Sequence, residues 1–557
     1  MAAASIDILL DQHARLPGDG DGTRLLAATQ DLLAEAARLE IDVRMVDGLE
    51  PAGEPRILVA ADRVVRAQAA DRGWTPVPHP ALALPVALGE ALAFARLSGD
   101  LGAIGAVAGV VPYWVEQRDD GSAWSLAALP QASLAAAIDA GLGVQRLPLD
   151  VSLQDPLFVQ LDEGAQVGDA LDGYEILWSD ASRVLVALAA GQPNDEIPLH
   201  GAHGHFRFLT PSPELLHPAR VVAMASATTR AAGPQAAPAP VTAESFLADI
   251  ARYAGLAPLD ARGTVRSRHS SHPDNARAVS ALLADLTELG YAPATHDFSF
   301  GGRVLRNVIA DLPGSGELGA DAGLVVLGCH LDSTAARDPG YLPASSPARG
   351  ADDDGSGLAA LLAIARHMKS LDEPPHNTIR FGFFNAEESG LVGSRAYAAS
   401  LKAAGAPVMA VVCADMIGYN SDAARTWELH AGFTDARVRD LSVPLAQLVA
   451  DAAEQLGELP PAQLYSGTTA TGGTDPTRFD GAINRSDHAS FQEQGYPAVL
   501  VSEDFFPNRP AEPAADPNPN YHSNADIEVD GEYAAQITRA MSVAVLELAA
   551  RPGILVA

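Results

Sequence analysis

Apolar and polar positions divide the chain into two parts with different patterns. In the second part, long apolar runs recur: NVIADL, LVVLGCHLD, TIRFGFFNAEE, VMAVVCADMIG and AVLVSED. Such nearly continuous runs are typical of strands covered on both faces, so they predict an α/β domain with a mixed, mostly parallel sheet flanked by helices. Two segments with helical spacing, about residues 243–253 and 271–290, precede these runs.

The first 226 residues are less regular. Over residues 1–150, short β-like runs such as SIDILL and RILVAA alternate with the helix-like segments TRLLAATQDLLAEAARLE and LGEALAFARLSG. Residues 151–226 are richer in strand-like runs, including PLFVQLD, EILWSD and RVLVALAAG. We therefore predict a separate α/β or α+β N-terminal region, as one unit or as the two subdomains 1–150 and 151–226, without an internal repeat. The sequence does not indicate its function.

Residues 227–242 are rich in Ala and Pro and lack apolar periodicity, which is typical of an extended linker. The second domain is then predicted to span 243–557. A chain of 557 residues is also too long for one hydrophobic core. The net charge of −33 argues against nucleic acid and anionic membranes as partners, because neither attracts an acidic surface.

The N-terminus lacks the basic start and long apolar core of a secretory signal, which favours a cytoplasmic location; a secreted or periplasmic location is the alternative. The two cysteines, Cys329 and Cys413, lie inside apolar runs and are predicted to be buried free thiols. His200, His203 and His205 lie close together in HGAHGHF. Since no acid or cysteine is arranged around them, a Gly-rich surface loop is favoured over a metal site.

Acids and histidines gather where the predicted strands end. His330 and Asp332 follow one strand, Glu387 and Glu388 another, and Asp415 a third; Asp352, Asp353 and Asp354 precede a predicted helix, and His522 lies in a Pro/Asn-rich loop. Acids before a helix are expected from capping and the helix dipole, so each fragment alone is ordinary. Together they indicate one site beyond the carboxyl ends of the strands.

The residue types suggest a chemistry. Two imidazoles and three carboxylates suit a pair of zinc ions, with Co²⁺ or Mn²⁺ as possible substitutes. Water held between two metals ionises near neutral pH and supplies a bridging hydroxide as nucleophile. A carboxylate outside the ligand set must then take the proton and pass it to the leaving group. Glu387 and Glu388 can divide these tasks, because successive side chains diverge.

The order of the motifs, namely His-x-Asp, Gly-Ala-Asp-Asp-Asp-Gly-Ser-Gly, Ala-Glu-Glu-x-Gly, Asp-Met, Ser-Asp-His-Ala-Ser-Phe and Tyr-His, resembles that of the dizinc metallopeptidases typified by bacterial leucine aminopeptidase. Aminopeptidase Y and glutamate carboxypeptidase are more distant members. The resemblance covers about residues 243–550. It implies that His330 and Asp415 bind one metal, that Glu388 and His522 bind the other, and that Asp353 bridges them. It also implies that Glu387 is the general base and that Asp332 holds the His330 ring.

A zinc aminopeptidase acting on peptides is the function that this resemblance implies. A carboxypeptidase is an alternative and would need a cation for the terminal carboxylate, for which the candidates are Arg478, Arg485 and Arg509. A glutaminyl cyclase of similar fold would use one zinc, and a receptor-like relative would have lost ligands or the base. Ser486, Asp487 and His488 are adjacent in sequence and cannot form a hydrolase triad. The pocket is expected within residues 417–510, while its preferred amino acid and the oligomeric state stay open.

Overall fold

The computed structural model describes residues 92–117, 122–149, 154–161, 171, 174–179, 183–189, 204–209, 216, 238–300, 303–319, 321–467, 480–506 and 515–550. It also places four strands nearer the N-terminus, at 5–11, 42–47, 56–61 and 74–77. The predicted helix over residues 23–40 and most of the predicted linker lie outside the described residues.

An eight-stranded mixed sheet forms the centre of the second domain, in the order β13-β14-β16-β15-β17-β20-β18-β19. Its strands are β13 (Ala294–Phe300), β14 (Arg303–Leu312), β15 (Leu324–His330), β16 (Thr378–Phe384), β17 (Val408–Ala414), β18 (Trp427–His430), β19 (Gln463–Tyr465) and β20 (Ala498–Glu503). The central strands β16, β15, β17 and β20 run parallel to their neighbours in that series. The mixed, mostly parallel sheet predicted from the apolar runs is confirmed.

Helices cover both faces of this sheet. They are α3 (Ala243–Tyr253), α4 (Asn275–Glu288), α5 (Gly355–Lys369), α6 (Val392–Ala403), α7 (Ala436–Leu456), α8 (His488–Glu493) and α9 (Gly531–Ala550). Along β15, Val325 packs with the core that contains α5 and α9. Its neighbour Val326 packs on the opposite face with Tyr397 of α6 and Phe491 of α8. The run is continuously apolar because both faces of the strand are buried. Cys329 and Cys413 are buried and unpaired, as predicted.

The N-terminal region contains three four-stranded sheets with one shared topology. In each sheet the second strand in chain order pairs with the third, the third with the first and the first with the fourth. The strands are β1 (Ser5–Asp11), β2 (Asp42–Asp47), β3 (Arg56–Ala61), β4 (Trp74–Val77), β5 (Leu92–Asp100), β6 (Val111–Gln117), β7 (Ser122–Pro130), β8 (Gly143–Leu147), β9 (Gln154–Leu161), β10 (Ile176–Ser179), β11 (Arg183–Ala189) and β12 (Gly204–Phe208). The sequence shows no repeat, so this threefold recurrence is visible only in the topology.

The described N-terminal sheets are antiparallel throughout. In the middle sheet, α1 (Leu101–Gly105) follows β5 and α2 (Ser133–Asp139) follows β7. This βαββαβ order is the split βαβ arrangement. Of the two classes that the sequence allowed, the described part is α+β.

The helix predicted over LGEALAFARLSG is wrong, because Leu92–Asp100 forms the strand β5. The segment is rich in Leu and Ala, which favour helices in isolation. In the fold, β5 lies between β7 and β8, and its two faces enter different cores: Phe94 one, Ala95 and Leu97 the other. Burial on both faces therefore outweighs local propensity here.

The second and third N-terminal sheets pack against each other through aromatic and arginine side chains. Trp114 meets Phe158 edge to face at 5.1 Å between ring centroids, and Trp124 lies 5.2 Å from Trp178. Arg96 lies over both Trp124 and Trp178. The contacts of Trp114 with Phe158 and of Trp178 with Trp124 and Arg96 join one sheet to the other, so the two units form a shared core. Among the described helices, none combines the length and the apolarity that a membrane span requires.

Candidate metal centre

Three neighbouring parallel strands end at the same edge of the large sheet, and the predicted site residues lie there. His330 is the last residue of β15, Asp415 follows β17, and the Glu387–Glu388 pair follows β16. Asp353 comes from the turn that opens α5, and His522 from the loop before α9. The topology therefore brings together side chains that lie far apart along the chain.

Two groups of side chains meet at this edge. The ligand atoms of His330, Asp353 and Asp415 lie within 4.8 Å of one another, and so do those of Asp353, Glu388 and His522. The Nε2 atom of His330 lies 3.0 Å from one oxygen of Asp353, and the Nε2 atom of His522 lies 3.2 Å from the other. His330 Nε2 is also 3.4 Å from Asp415, and His522 Nε2 is 3.0 Å from Glu388. Asp353 thus belongs to both groups.

The electrostatics of these groups fit divalent cations. Burial alone would lower the pKa of His522, but Glu388 and Asp353 raise it to about 9. Burial would raise the pKa of the Asp353 carboxyl, yet His330 and His522 hold it below its usual range. Glu388 Oε1 is buried without a hydrogen-bond partner among the described residues. Buried charges of this kind are normally paired or bound to metal, and the same field that attracts protons to the two rings attracts a metal ion.

Glu387 lines the same cavity but belongs to neither group of ligand atoms. Its side chain is buried, and burial raises the pKa of its carboxyl well above the usual range. A carboxyl placed beside the candidate ligands but outside their groups is in position to take up a proton and release it again. The adjacent glutamates therefore face two different surroundings.

Asp332 has a different main contact from the predicted one. Its carboxylate accepts hydrogen bonds from the backbone N–H groups of Glu387 at 3.0 Å and Glu388 at 3.2 Å. The Nδ1 atom of His330 lies 3.2 Å from the Asp332 main-chain oxygen but 3.8 Å from its carboxylate, too far for a hydrogen bond. The carboxylate therefore fixes the turn that carries the glutamate pair, and the main-chain oxygen faces the His330 ring.

The three residues of the Asp triplet make different contacts. From the sequence, Asp353 was selected as a metal ligand, and capping was the ordinary expectation for acids before a helix. Asp354 is the N-cap of α5, and it accepts hydrogen bonds from the N–H groups of Gly357 at 2.8 Å and His330 at 3.0 Å. Asp352 accepts a hydrogen bond from Asn518 at 2.9 Å. The capping interpretation therefore holds for Asp354, while Asp353 points into the site.

Asp526, which the sequence analysis did not select, lies behind the turn that carries Asp352 and Asp353. The Asp526 carboxylate accepts hydrogen bonds from the backbone N–H groups of Asp352 at 3.2 Å and Asp353 at 3.0 Å. It thereby fixes the backbone of the shared ligand. The only signal in the sequence is its place four residues after His522, which gave no reason to select it.

The site opens into a cavity of about 690 Å³, measured with its open mouth. Apart from the acids and histidines, its lining is largely apolar, with Phe206, Leu391, Met416, Leu500, Phe505, Phe506 and Tyr521. Arg485 also lines it. Arg478 and Arg509 lie outside the described residues, as do His200 and His203, and only the backbone of His205 is described.

No hydrolase triad forms at Ser486, Asp487 and His488. Neither ring nitrogen of His488 has a hydrogen-bond partner in the described part of the chain, and burial lowers its pKa to about 3. A neutral ring without a partner cannot serve as the base for Ser486.

Comparison with known proteins agrees with the site. Residues 307–545 match the model described as Peptidase family M28. Leucine aminopeptidase 1 of Fusarium vanettenii is 30% identical over 206 residues, which cover 36% of this chain and 46% of that protein. A probable leucine aminopeptidase of Arthroderma benhamiae is 29% identical over 295 residues, 52% of this chain and 70% of that protein.

The alignments with three of the curated leucine aminopeptidases, among them that of Fusarium vanettenii, span about half the length of each relative. Among solved structures, the LapA aminopeptidase of Legionella pneumophila is 19% identical, with a TM-score of 0.48 over 72% of this chain and 99% of that chain. The family is one of peptidases, as the motifs implied.

Proposed function

We propose that this protein is a zinc-dependent aminopeptidase that removes N-terminal residues from peptides. The observation that carries the proposal is the pair of ligand groups that share Asp353 at the floor of one cavity. A shared carboxylate between two sites is the arrangement expected for two metal ions a few ångström apart.

The ligand set assigns a role to each side chain. His330 and Asp415 would hold one zinc ion, Glu388 and His522 the other, and Asp353 both. When bound, zinc supplies Lewis-acid chemistry, since it polarises a carbonyl group and makes water more acidic. A nitrogen and carboxylate donor set is one that zinc accepts.

Glu387 acts as the proton carrier. Its carboxylate lines the cavity outside the ligand groups, so it is placed to accept a proton from the attacking water. Burial raises the pKa of this carboxyl, which favours the protonated form that gives its proton to the departing amine. Asp332 fixes the turn on which this base sits.

The cavity favours the amino end of a peptide. Among the acids that line it, Glu387 belongs to neither ligand group, so two bound zinc ions would leave its charge available to an ammonium group. The apolar lining favours an apolar first side chain. The names of the curated relatives, leucine aminopeptidases, support the same activity.

A substrate panel tests this function. The zinc-loaded protein should hydrolyse leucyl-p-nitroanilide, lose that activity with a chelator and regain it with zinc or cobalt. A peptide with a blocked N-terminus should resist, while one with a blocked C-terminus should be cleaved. The reverse pattern would identify a carboxypeptidase using Arg485. Cyclisation of N-terminal glutamine without hydrolysis would identify a cyclase, and no turnover by metal-loaded protein would contradict an enzymatic role.

A further inference from the structure

One wall of the peptidase cavity comes from the N-terminal region. Phe206, on β12, lines the same cavity as Glu387 and the five predicted metal ligands. It is half-buried and packs against the core of the third N-terminal sheet, as Phe208 and Tyr174 also do. We propose that Phe206 is a specificity-determining residue, so that the N-terminal region sets the size of the substrate that reaches the metals. This inference rests on the proposed function, because it concerns the same site.

Close backbone contact holds β12 against the turn that carries the base. Gly390 follows the glutamate pair by two residues and has a φ of +98°, and a Cβ atom there would lie 2.8 Å from the carbonyl oxygen of Phe206. The N–H of Gly390 donates a hydrogen bond to the carbonyl oxygen of Glu387 at 2.7 Å. Only a residue without a side chain allows β12 to approach this closely.

The next residue of the strand anchors it to the peptidase domain. Arg207 is buried and forms an ion pair with Glu493 at the end of α8. Arg395 of α6 binds the same carboxylate at 3.0 Å and also donates a hydrogen bond to the carbonyl oxygen of Phe208. On the N-terminal side, Arg207 lies 4.6 Å from the ring centre of Trp114. The strand is therefore fixed from both domains.

A third contact completes the docking. Phe208 meets Phe300 of β13 edge to face, with 5.9 Å between ring centroids. Phe206 and Phe208 lie on the same face of β12, since alternate residues of a strand do so. The Phe206 ring thus stands at a fixed place in the cavity wall, and its volume limits the space beside the metals.

Size variants at Phe206 test the proposal. Phe206→Ala should raise the ratio of kcat/KM for phenylalanyl-p-nitroanilide to that for alanyl-p-nitroanilide by about tenfold, since one or two methylene groups in an apolar pocket are worth roughly 10–200-fold. Phe206→Trp should lower the same ratio. Ile176→Ala is the control, because this side chain is exposed on the same N-terminal sheet and lies outside the cavity lining; it should leave the ratio within about twofold. Unchanged ratios in both Phe206 variants, with zinc content and melting temperature like those of the wild type, would overturn the proposal.

A binding measurement separates this proposal from the proposed function. Calorimetric titration with alanine hydroxamate and phenylalanine hydroxamate reports pocket size without turnover. The zinc-loaded wild type could hydrolyse no substrate while the Phe206 variants differ from it in their relative affinity for the two hydroxamates. That result would refute the aminopeptidase function and support the role of Phe206 in setting pocket size. If the wild type hydrolyses the substrates but the relative affinity for the two hydroxamates is the same in the Phe206 variants, the aminopeptidase function is supported and the role of Phe206 is refuted. Absence of binding by either hydroxamate would contradict both.

Discussion

At the residue scale, Asp353 is the side chain on which the two halves of the site depend. Each of its oxygens faces a different imidazole, at 3.0 Å and 3.2 Å. Asp526 holds its backbone N–H, so the carboxylate is oriented from behind. A bridging ligand needs this rigidity, because a small rotation would improve one half-site at the expense of the other.

Replacement of Glu387 by Gln should separate proton transfer from metal binding. The amide keeps the size of the side chain but cannot take up a proton, so kcat should fall by about 10²–10⁴-fold, the usual contribution of a general base. Zinc content should not change, because Glu387 lies outside both ligand groups. Activity within tenfold of the wild type would exclude this residue as the base. Glu388→Gln is the matched control and should lose zinc as well as activity.

A second buried charge cluster, away from the ligands, gives a prediction about pH. His430 lies between Asp480, 2.9 Å from Nδ1, and Glu428, 3.1 Å from Nε2. Burial would lower the pKa of this histidine, but the two acids raise it to about 9. Its folded pKa therefore lies above that of an unfolded histidine, so the stabilisation is complete below about pH 6.5 and is lost as the pH rises through about 9.

His430→Gln should thus cost most at low pH. At pH 6 the variant should lose about 3 kcal/mol of unfolding free energy, from roughly 1.4 kcal/mol per pKa unit, and the loss should shrink toward pH 9.5. Denaturant unfolding at both pH values measures this difference. His376→Gln is the control, because its ring faces the Asp321 carbonyl oxygen at 2.9 Å instead of a carboxylate. If the loss of unfolding free energy caused by His430→Gln grew with pH, His430 would not be a charged partner of Asp480 and Glu428.

Residue types and strand ends were enough to select the candidate ligands from the sequence, and the family resemblance assigned them to two metals, whereas the contacts around them could not be predicted. The family resemblance implied that Asp332 holds the His330 ring, yet its carboxylate accepts a hydrogen bond from the backbone of Glu387. That choice depends on β15 and β16 being neighbours in register, with His330 beside Phe384. Sequence spacing alone cannot show such a register.

At the element scale, the loop that carries His522 is held by another loop. His522 has a φ of +56°, a strained conformation for a residue with a side chain. The Asp338 carboxylate accepts hydrogen bonds from the Ser523 hydroxyl at 2.6 Å and the Asn524 N–H at 2.9 Å, and the Arg337 N–H donates to the His522 carbonyl oxygen at 2.9 Å. The segment after β15 therefore positions a ligand that lies almost two hundred residues later.

Asp338→Ala should loosen this ligand without touching the metal. The affinity for the zinc ion held by His522 should fall by about 10–100-fold, the usual effect of losing an outer support of a ligand. Competition with a chelator measures it. Asp338→Asn, which keeps one acceptor oxygen, should lose less. Equal zinc affinity in the Ala variant and the wild type would show that the loop holds its shape alone.

Strands buried on both faces were predicted correctly in the peptidase domain, whereas β5 in the N-terminal region was predicted as a helix. The runs of β15, β16 and β17 are bounded by turns and are too short for helices, so their type was clear. LGEALAFARLSG has the composition of a helix, and only the pairing of Leu92–Asp100 with β7 and β8 makes that part a strand. Pairing partners distant along the chain are what the local pattern lacks.

At the scale of the whole molecule, buried ions join the two domains. Glu493 binds both Arg207 and Arg395, and burial lowers the pKa of each guanidinium, that of Arg395 to about 10. The Nε and Nη1 atoms of Arg207 have no hydrogen-bond partner in the described chain. The cost of burial is therefore only partly offset for Arg207, because the single negative charge of Glu493 is shared between two guanidinium groups.

Glu493→Gln should destabilise more than Arg207→Met. The first leaves two buried cations without an acid and should cost about 3–5 kcal/mol, whereas the second keeps the Arg395–Glu493 pair and replaces a poorly paired charge by an apolar chain of similar length. Melting temperatures of both variants under one condition give the comparison. A larger drop in melting temperature for Arg207→Met than for Glu493→Gln would contradict this expectation. It would mean that the Arg207–Glu493 contact itself, and not the balance of buried charge, dominates the stability of the interface.

The contribution of the N-terminal region to the cavity could not be predicted from the sequence. Phe206 follows a Gly/His-rich stretch that carries no motif, and it lies more than a hundred residues before the first ligand. Gly390 was visible in the Ala-Glu-Glu-x-Gly motif, but the strand that requires it belongs to another domain. Contacts between domains leave no periodic signal in either partner.

The central claim is that five side chains hold two zinc ions needed for peptide hydrolysis. Zinc titration of metal-stripped protein, with the rate of leucyl-p-nitroanilide hydrolysis recorded per equivalent of zinc, tests it most directly. We expect the rate to rise to a plateau at two zinc ions per chain, and His522→Ala to lower the zinc bound at saturation to one. Full activity in metal-stripped protein, or no activity at any zinc loading, would contradict it.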